Sequence, residues 1–162
     1  MSSYLLPLEL WGIRLCLIGS DRGVQKVKFI TPEEDFSFLK TLPPWGEEAR
    51  KQMGDFQTGQ RQKLTVPFDR VRKSSFGEKV LAEVQAIPPG ECRTYGEIAA
   101  KCGSPGAARA VGRLMARNPL PIFVPCHRVI GANRKLTGYS GPGGVEFKKW
   151  LLEKEKDVFG KP

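Results

Sequence analysis

Histidine is nearly absent from this sequence: His127 is the only one among 162 residues. The four cysteines are scattered, and no two of them form a Cys-x-x-Cys pair: Cys16, Cys92, Cys102 and Cys126. One imidazole and isolated thiols lack the spacing of a Cys/His zinc site, so we predict no metal site. Free thiols without a disulfide framework are typical of a reducing compartment, which predicts a cytoplasmic protein.

Long apolar runs are also missing. None approaches the ~20 consecutive apolar residues that a membrane-spanning helix needs. Glu9 and Arg14 interrupt the apolar N-terminal segment, and no small-residue cleavage pattern follows. We therefore predict neither a signal peptide nor a membrane segment.

Acidic residues are scarce where basic residues are concentrated. The formal net charge is +9; residues 1–72 carry 11 Lys/Arg against 9 Asp/Glu, and residues 73–162 carry 15 against 8. No acidic residue occurs between Gly103 and Pro125. Such a basic half favours a polyanionic partner, nucleic acid first, although a merely soluble basic protein would have a similar composition.

A chain of this length can hold two small domains, and the polar stretch from Asp69 to Ser74 is the predicted linker. We predict domains at 1–72 and 73–162. The predicted elements of the first are a β-hairpin over 11–30, helices over 31–42 (capped by Thr31) and 47–56, and a return strand over 63–68. No catalytic constellation occurs there, so this α/β domain with a small antiparallel sheet is interpreted as a scaffold.

Three helix starts follow in the second domain. Ser75-Phe76-Gly77-Glu78 and Thr94-Tyr95-Gly96-Glu97 have the pattern of capping boxes. Ser104-Pro105 supplies an N-cap and a proline at the first helical position. Two short helices separated by a tight turn, beginning at Thr94 and at Ser104, predict a helix-turn-helix.

The helix after Ser104 combines arginines with small residues. Its predicted core stripe is Val111, Leu114 and Met115, while a separate stripe carries Arg109, Arg113 and Arg117. The small residues are Ala107, Ala108, Ala110 and Gly112. A shallow basic helix of this kind suits close approach to a phosphate backbone or entry into the narrow minor groove. An ordinary solvated helix face would usually include acidic residues as well.

A short apolar run between prolines leads to Cys126 and His127. Cysteine attacks as thiolate, and a histidine nearby can take the thiol proton. Neighbours in a strand point to opposite faces, so the two can cooperate only if the chain turns there or a water bridges them. Pro125 favours a strand that ends in a turn carrying Cys126. A buried structural cysteine is the alternative.

Two further residues extend this site. Glu155 continues the inward stripe of the last helix, after Phe147, Trp150 and Leu151. A carboxylate there is either a partner that orients His127 or part of a frayed helix end. Tyr139, in a glycine-rich loop, is either an aromatic lid for something planar or part of a surface turn.

Five ordered motifs resemble the O6-alkylguanine-DNA alkyltransferase family. They are Pro-Cys-His-Arg-Val at 125–129 with Asn118-Pro119 upstream, Tyr95–Ala99, Arg109–Gly112, Gly138–Gly141 and Lys148–Leu152. The resemblance covers roughly residues 75 to 155. It implies an N-terminal α/β domain followed by a mainly α, winged-helix-like domain with a helix-turn-helix.

The resemblance also implies the activity. An alkyl group passes from O6 of guanine in double-stranded DNA, after base flipping, irreversibly to Cys126. A thioether is not reversed by thiol exchange, so each molecule acts once and needs no cofactor. The expected partner is DNA containing O6-alkylguanine, bound by a monomer in the cytoplasm, at the nucleoid, or in the nucleus of a eukaryote.

The resemblance implies roles for individual residues. The expected catalytic residues are Cys126, His127, Glu155, Tyr95, Asn118 and Lys148. The expected substrate-binding residues are Val129, Tyr139, Ser140 and Met115. The expected DNA-binding residues are Arg109, Ala107, Ala108, Ala110, Gly112, Arg113, Tyr95 and Arg128.

Three other functions remain open at this point. An alkyltransferase-like protein would bind the lesion without repairing it, but those relatives lack the cysteine. A helix-turn-helix gene regulator would leave the cluster around Cys126 unexplained. A cysteine hydrolase would turn over many times on esters or amides.

Overall fold

The chain folds into two units, Met1–Val71 and Arg72–Pro162. The computed structural model describes residues 3–37, 41–69 and 74–160. The predicted linker therefore lies mostly outside the described residues, at 70–73. Within the described ranges, no helix combines the length and apolar character that crossing a bilayer requires.

The N-terminal unit is built on a three-stranded antiparallel sheet of order β1-β2-β3. Its strands are β1 (Tyr4–Leu10), β2 (Ile13–Ser20) and β3 (Gly23–Phe29). The predicted hairpin over 11–30 is confirmed as β2 and β3. Strand β1 was not predicted, because Pro7 interrupts its pattern. A proline is tolerated more readily there because β1 is an edge strand, in which only alternate N–H groups belong to a ladder.

A helix covers this sheet, as the sequence predicted for 47–56. Helix α1 (Gly46–Gln57) buries Ala49, Met53 and Phe56. Its last residue also fixes the turn between β1 and β2, where Trp11 adopts a left-handed φ of 50°. Gln57 Oε1 accepts from the Trp11 backbone N–H at 2.9 Å, and the Gln57 carbonyl accepts from the indole at 3.0 Å.

The helix predicted over 31–42 is wrong for the residues that are described. Residues 31–37 and 41–42 are not helical, and 38–40 lie outside the described ranges. The Arg14 guanidinium donates to the carbonyls of Thr31, Pro32 and Glu34 at 3.1, 2.7 and 3.1 Å. These carbonyls would have accepted the helical N–H bonds, so the arginine replaces the helix ladder.

The return strand predicted over 63–68 is reduced to a single bridge between Phe68 and Val24. Pro67 has no N–H to donate to a ladder. The N–H of Thr65 donates instead to the side chain of Gln52 on α1 at 2.6 Å. This segment is thus held by the helix as well as by the sheet.

The C-terminal unit is mainly helical, as predicted. Its helices are α2 (Ser75–Gln85), α3 (Tyr95–Lys101), α4 (Ala108–Ala116) and α5 (Gly144–Phe159). Two short parallel strands, β4 (Arg93–Thr94) and β5 (Val129–Ile130), pair between them. The core contains Val80, Val84, Ile98, Val111 and Leu151, all at most 1% exposed. Helices α3 and α4 pack together as the predicted helix-turn-helix.

The three predicted helix starts have different outcomes. The Thr94 capping box is confirmed, with both reciprocal hydrogen bonds to Glu97 present. The cap of α2 is Ser74 rather than Ser75, because Ser74 Oγ accepts from Gly77 N–H at 3.2 Å. The cap at Ser104 is wrong: its carbonyl accepts from Ala107 N–H at 2.9 Å and closes a turn. Helix α4 begins only after that turn.

Candidate functional site

The segment before Cys126 is a series of turns, so the predicted strand is wrong. Ile122 has a left-handed φ of 73°, and Val124 N–H donates to the Leu120 carbonyl at 2.8 Å. The Asn118 side chain braces both ends of this segment. It accepts from Leu120 N–H at 3.0 Å and donates to the Val124 carbonyl at 2.9 Å. Asn118 thus holds the segment that presents Cys126, and its expected part in catalysis stays a prediction.

The turn that the sequence required at the cysteine is a short 3₁₀ helix, Cys126–Arg128. The Pro125 carbonyl closes it by accepting from Arg128 N–H at 2.9 Å. All three side chains of this helix are buried. A 3₁₀ turn directs consecutive side chains about 120° apart, so three neighbours reach three different surroundings.

The predicted contact between His127 and Glu155 is confirmed. His127 Nε2 lies 2.7 Å from Glu155 Oε1, and both side chains are 1% exposed. Burial lowers the pKa of His127 below its ordinary value, although the neighbouring carboxylate acts in the opposite sense. The neutral imidazole then places its proton on Nε2 and its lone pair on Nδ1, which is buried and has no partner among the described residues.

Glu155 is a buried part of α5, so the alternative of a frayed helix end is wrong. The buried face of this helix is Lys148, Leu151, Leu152 and Glu155. Phe147 and Trp150, predicted to point inward, are only half-buried and stack on each other with centroids 5.8 Å apart. Burial would raise the pKa of Glu155, but His127 and Arg128 outweigh it and hold the value at about 2.

Arg128 does not bind DNA as the sequence predicted, because its side chain is buried and fully engaged. Its residue exposure is 4%. Nη2 lies 2.7 Å from Glu155 Oε1, and Nε lies 3.1 and 3.0 Å from Oε1 and Oε2. Nη1 donates to the Ile87 carbonyl at 2.6 Å. The guanidinium is therefore held inside the unit by Glu155 and Ile87 and is not presented at the surface for a phosphate.

Cys126 is a buried thiol beside a buried cation. Burial raises its pKa, while the Asn118 side chain and the charge of Lys148 act to lower it. The net direction is upward, so the resting side chain is a neutral thiol that needs a base before it can attack. The predicted anion is therefore formed during the reaction and is not the resting state.

Lys148 is fully buried and tied to three carbonyls. Its Nζ donates to Val129, Thr137 and Gly138 at 2.6, 3.1 and 3.3 Å. Burial lowers its pKa. Its ammonium also lies 5.8 Å from the centre of the Tyr95 ring. Because one lone pair of the Val129 carbonyl is taken by Lys148, only the other remains for the substrate binding expected of Val129.

A cavity of about 270 Å³ opens over the thiol. Its lining residues are Tyr95, Gly112, Met115, Ala116, Cys126, Gly138, Tyr139 and Ser140. It brings together five residues predicted for catalysis or substrate binding: Cys126, Tyr95, Met115, Tyr139 and Ser140. The sequence did not single out Ala116, and it gave Gly138 no role; their small size in a helix and in a glycine-rich loop was the available signal.

Two of the residues that line this cavity, Tyr95 and Tyr139, are aromatic. Burial raises the pKa of both Tyr95 and Tyr139, so both hydroxyls stay protonated at neutral pH. The Tyr139 hydroxyl is buried without a hydrogen-bond partner among the described residues. Its ring lies so close to Gly141 that an added Cβ would overlap it. The cavity can therefore receive a flat group against the rings and offer it hydroxyl donors.

Helix α4 joins the cavity to a basic surface. Gly112, Met115 and Ala116 line the cavity, while Arg109, Arg113 and Arg117 are exposed. None of these arginines forms an ion pair within the described part of the chain. The small residues Ala107, Ala108 and Ala110 are half-buried. The exposed arginine row is confirmed; its contact with DNA stays a prediction.

Comparisons with known proteins match both the sequence and the fold. A model of the 6-O-methylguanine DNA methyltransferase DNA-binding domain matches residues 75–157. The chain is 40% identical over 148 residues to a methylated-DNA–protein-cysteine methyltransferase of Mycolicibacterium paratuberculosis, covering 88% of this chain and 86% of that one. It is 47% identical over 109 residues to a constitutive relative of the same name from Bacillus subtilis, covering 67% and 65%.

Solved structures agree. The crystal structure of Mycobacterium tuberculosis O6-methylguanine methyltransferase has a TM-score of 0.78 and 36% identity, covering 99% of this chain and 96% of that one. The crystal structure of the Mycobacterium tuberculosis OGT in complex with DNA has a TM-score of 0.77 and 37% identity, covering 95% and 93%.

Proposed function

This chain belongs to the 6-O-methylguanine DNA methyltransferase family, and from that premise we propose that it repairs O6-alkylguanine in double-stranded DNA by moving the alkyl group to Cys126. It is a DNA-repair methyltransferase whose acceptor is a cysteine of its own chain. The observation that carries the assignment to Cys126 is its position: this thiol lines the cavity and is followed directly by the His127–Glu155 pair.

Proton removal comes first. The thiol proton passes to Nδ1 of His127, through one bridging water, and the sulfur becomes a thiolate. The imidazolium that forms keeps its Nε2–H bond to the ionised Glu155, 2.7 Å away, which stabilises its charge. Lys148 lowers the pKa of Cys126 and so favours the thiolate in the same step.

Alkyl transfer follows as one displacement. The sulfur forms a bond to the alkyl carbon, the bond from that carbon to guanine O6 breaks, and its electron pair goes to the guanine. The guanine anion then takes up one proton, the equivalent of the proton that His127 received from the thiol, so the base leaves neutral and the imidazole returns to its resting state. The Tyr95 hydroxyl, kept protonated by burial, donates a hydrogen bond to the leaving ring.

The base must leave the duplex to reach the sulfur. O6 of a stacked guanine cannot approach a side chain that is 5% exposed, so the nucleotide is flipped into the cavity at a cost of a few kcal/mol. Helix α4 would enter the minor groove through its small residues, with Arg109 filling the space that the base leaves. The proposed active form is a monomer.

Intact mass spectrometry tests the transfer. After incubation with an O6-methylguanine duplex, the protein should gain one methyl group per molecule, located by peptide mapping on Cys126. Cys126→Ala should gain none and still bind the duplex. A methyl group on Cys92, or no gain at all, would assign the chemistry elsewhere or favour a lesion-binding protein. Lost binding by the variant would indicate misfolding.

A further inference from the structure

We propose that Arg128 is a positioning residue of this acceptor site: its guanidinium keeps Glu155 an oriented carboxylate, which in turn keeps Nδ1 of His127 free to receive the Cys126 proton. The inference rests on the proposed function for Cys126. It gives a role in the reaction to an arginine whose predicted role was DNA binding, although Arg128 touches neither the cavity nor the thiol.

The geometry fixes the carboxylate from both sides. Oε1 is shared, 2.7 Å from Arg128 Nη2 and 2.7 Å from His127 Nε2. Oε2 receives Arg128 Nε at 3.0 Å and the Gly90 N–H at 3.2 Å. The guanidinium is itself anchored by Nη1 to the Ile87 carbonyl, just past the end of α2. The plane of the carboxylate is thus set by Arg128, and the imidazole bonds to an oxygen that is already held.

Charge makes Arg128 necessary. A carboxylate at 1% exposure that faced only a neutral imidazole would tend to take up a proton. A protonated Glu155 would accept the imidazole N–H less well, and the imidazole could turn or change tautomer. Within the described residues, Arg128 is the one permanently charged group in salt-bridge contact with Glu155.

Other titratable groups near this pair do not replace it. Cys92, in the segment after α2, interacts with Glu155, but its thiol is neutral because burial raises its pKa. Lys148, on the same helix as Glu155, has its hydrogen bonds directed at Val129, Thr137 and Gly138, and its charge opposes protonation of His127. Arg128 therefore supplies the charge that the carboxylate needs.

The pH dependence of methyl transfer tests the role. With Glu155 ionised down to about pH 2, its protonation does not affect the wild-type rate between pH 5 and 9. In Arg128→Met the uncompensated carboxyl titrates within that range, so the rate should fall about 10- to 100-fold near neutral pH and recover partly as the pH rises. Arg128→Lys, which keeps the charge but loses the fork, should remove this pH dependence and restore only part of the rate.

Three controls separate this role from others. Affinity for undamaged duplex, and its salt dependence, should be unchanged in Arg128→Met; a weaker affinity with a smaller salt slope would return Arg128 to DNA binding. A loss of methyl-transfer rate that is the same at every pH would mean a purely structural role.

If the Met variant does not fold, the double variant Arg128→Lys/Glu155→Gln provides the test. Its loss of methyl-transfer rate should be smaller than the two single losses combined; additive losses would overturn the proposal. If Cys126 of the wild-type protein accepts no methyl group, the proposed function itself is wrong.

Discussion

At the scale of single residues, the acceptor site is held together largely by hydrogen bonds from side chains to backbone groups. The Asn118 side chain holds the turns before Cys126 by donating one hydrogen bond to Val124 and accepting one from Leu120. Lys148 fastens the segment at 137–138 to Val129. Both residues place a cavity wall relative to the sulfur, so substitutions there should change geometry and stability together.

Asn118→Ala should lower the free energy of unfolding by about 1–3 kcal/mol, because it leaves the Leu120 N–H and the Val124 carbonyl without their partner. Methyl transfer should slow as well, since the segment that presents Cys126 loses its brace. Urea unfolding and single-turnover kinetics measure the two effects. Unchanged stability would show that water replaces both bonds.

At the scale of elements, the starts of α2, α3 and α4 differ in how well a short stretch of sequence predicts them. The Thr94 cap was predictable because its two hydrogen bonds connect residues three apart in a recognisable pattern. Serines at 74 and 75 both suit a cap, and only packing of Val80, Leu81 and Val84 against the core decides between them. The pattern at Ser104 predicts the wrong helix start. The Ser104 carbonyl accepts from Ala107 N–H and closes a turn, whereas in a helix capped at Ser104 it would accept from a residue further along the chain.

The two serines before α2 form a matched pair for testing the cap. Ser74→Ala should destabilise the protein by about 1 kcal/mol, since Gly77 N–H loses its acceptor. Ser75→Ala, at an exposed first helical position, should change stability by less than about 0.5 kcal/mol. Thermal unfolding compares them. If Ser75→Ala were the more destabilising substitution, Ser75 would be the cap, as the sequence pattern predicted.

Helix α4 offers a test of the DNA surface. Arg109→Ala should slow methyl transfer from a duplex far more than from free O6-alkylguanine base, because only the duplex requires the vacated space to be filled. Arg50→Ala, which removes an exposed arginine from α1 in the N-terminal unit, is the charge-matched control and should affect neither. Equal slowing on both substrates would exclude Arg109 from base flipping.

At the scale of the whole molecule, the mainly helical character of residues 73–162 was easier to predict from the sequence than the buried charges within them. The hairpin and the helix-turn-helix follow from patterns within short windows, whereas Cys126 was assigned as the nucleophile from motifs spread over roughly residues 75 to 155. The Arg128–Glu155 contact joins residues 27 positions apart, and nothing local to Arg128 indicates that it is buried. Its DNA-binding role was inferred from the family resemblance alone, and a resemblance in sequence does not say whether a side chain is buried.

Acid should destabilise the protein in two stages. His127 has a lowered pKa, so it stays neutral in the fold while the unfolded chain takes up a proton below about pH 6.5, and stability falls from there. Glu155 has a pKa of about 2, so its contribution to stability is present above the unfolded value near 4.3 and is lost as the pH falls toward 2. Urea unfolding across pH 2–8 measures both, and Glu155→Gln should flatten the second stage.

The concealment of Cys126 has a consequence for the lifetime of the protein in a cell. A molecule that works only once loses its whole usefulness if a stray electrophile or peroxide reaches its sulfur first. With the side chain 5% exposed and its pKa raised by burial, the thiol is largely covered and mostly protonated while no damaged base occupies the cavity, and both properties slow its reaction with other electrophiles. The low reactivity of Cys126 in the unoccupied protein therefore affects how many molecules can still repair a lesion after prolonged oxidative or alkylating stress.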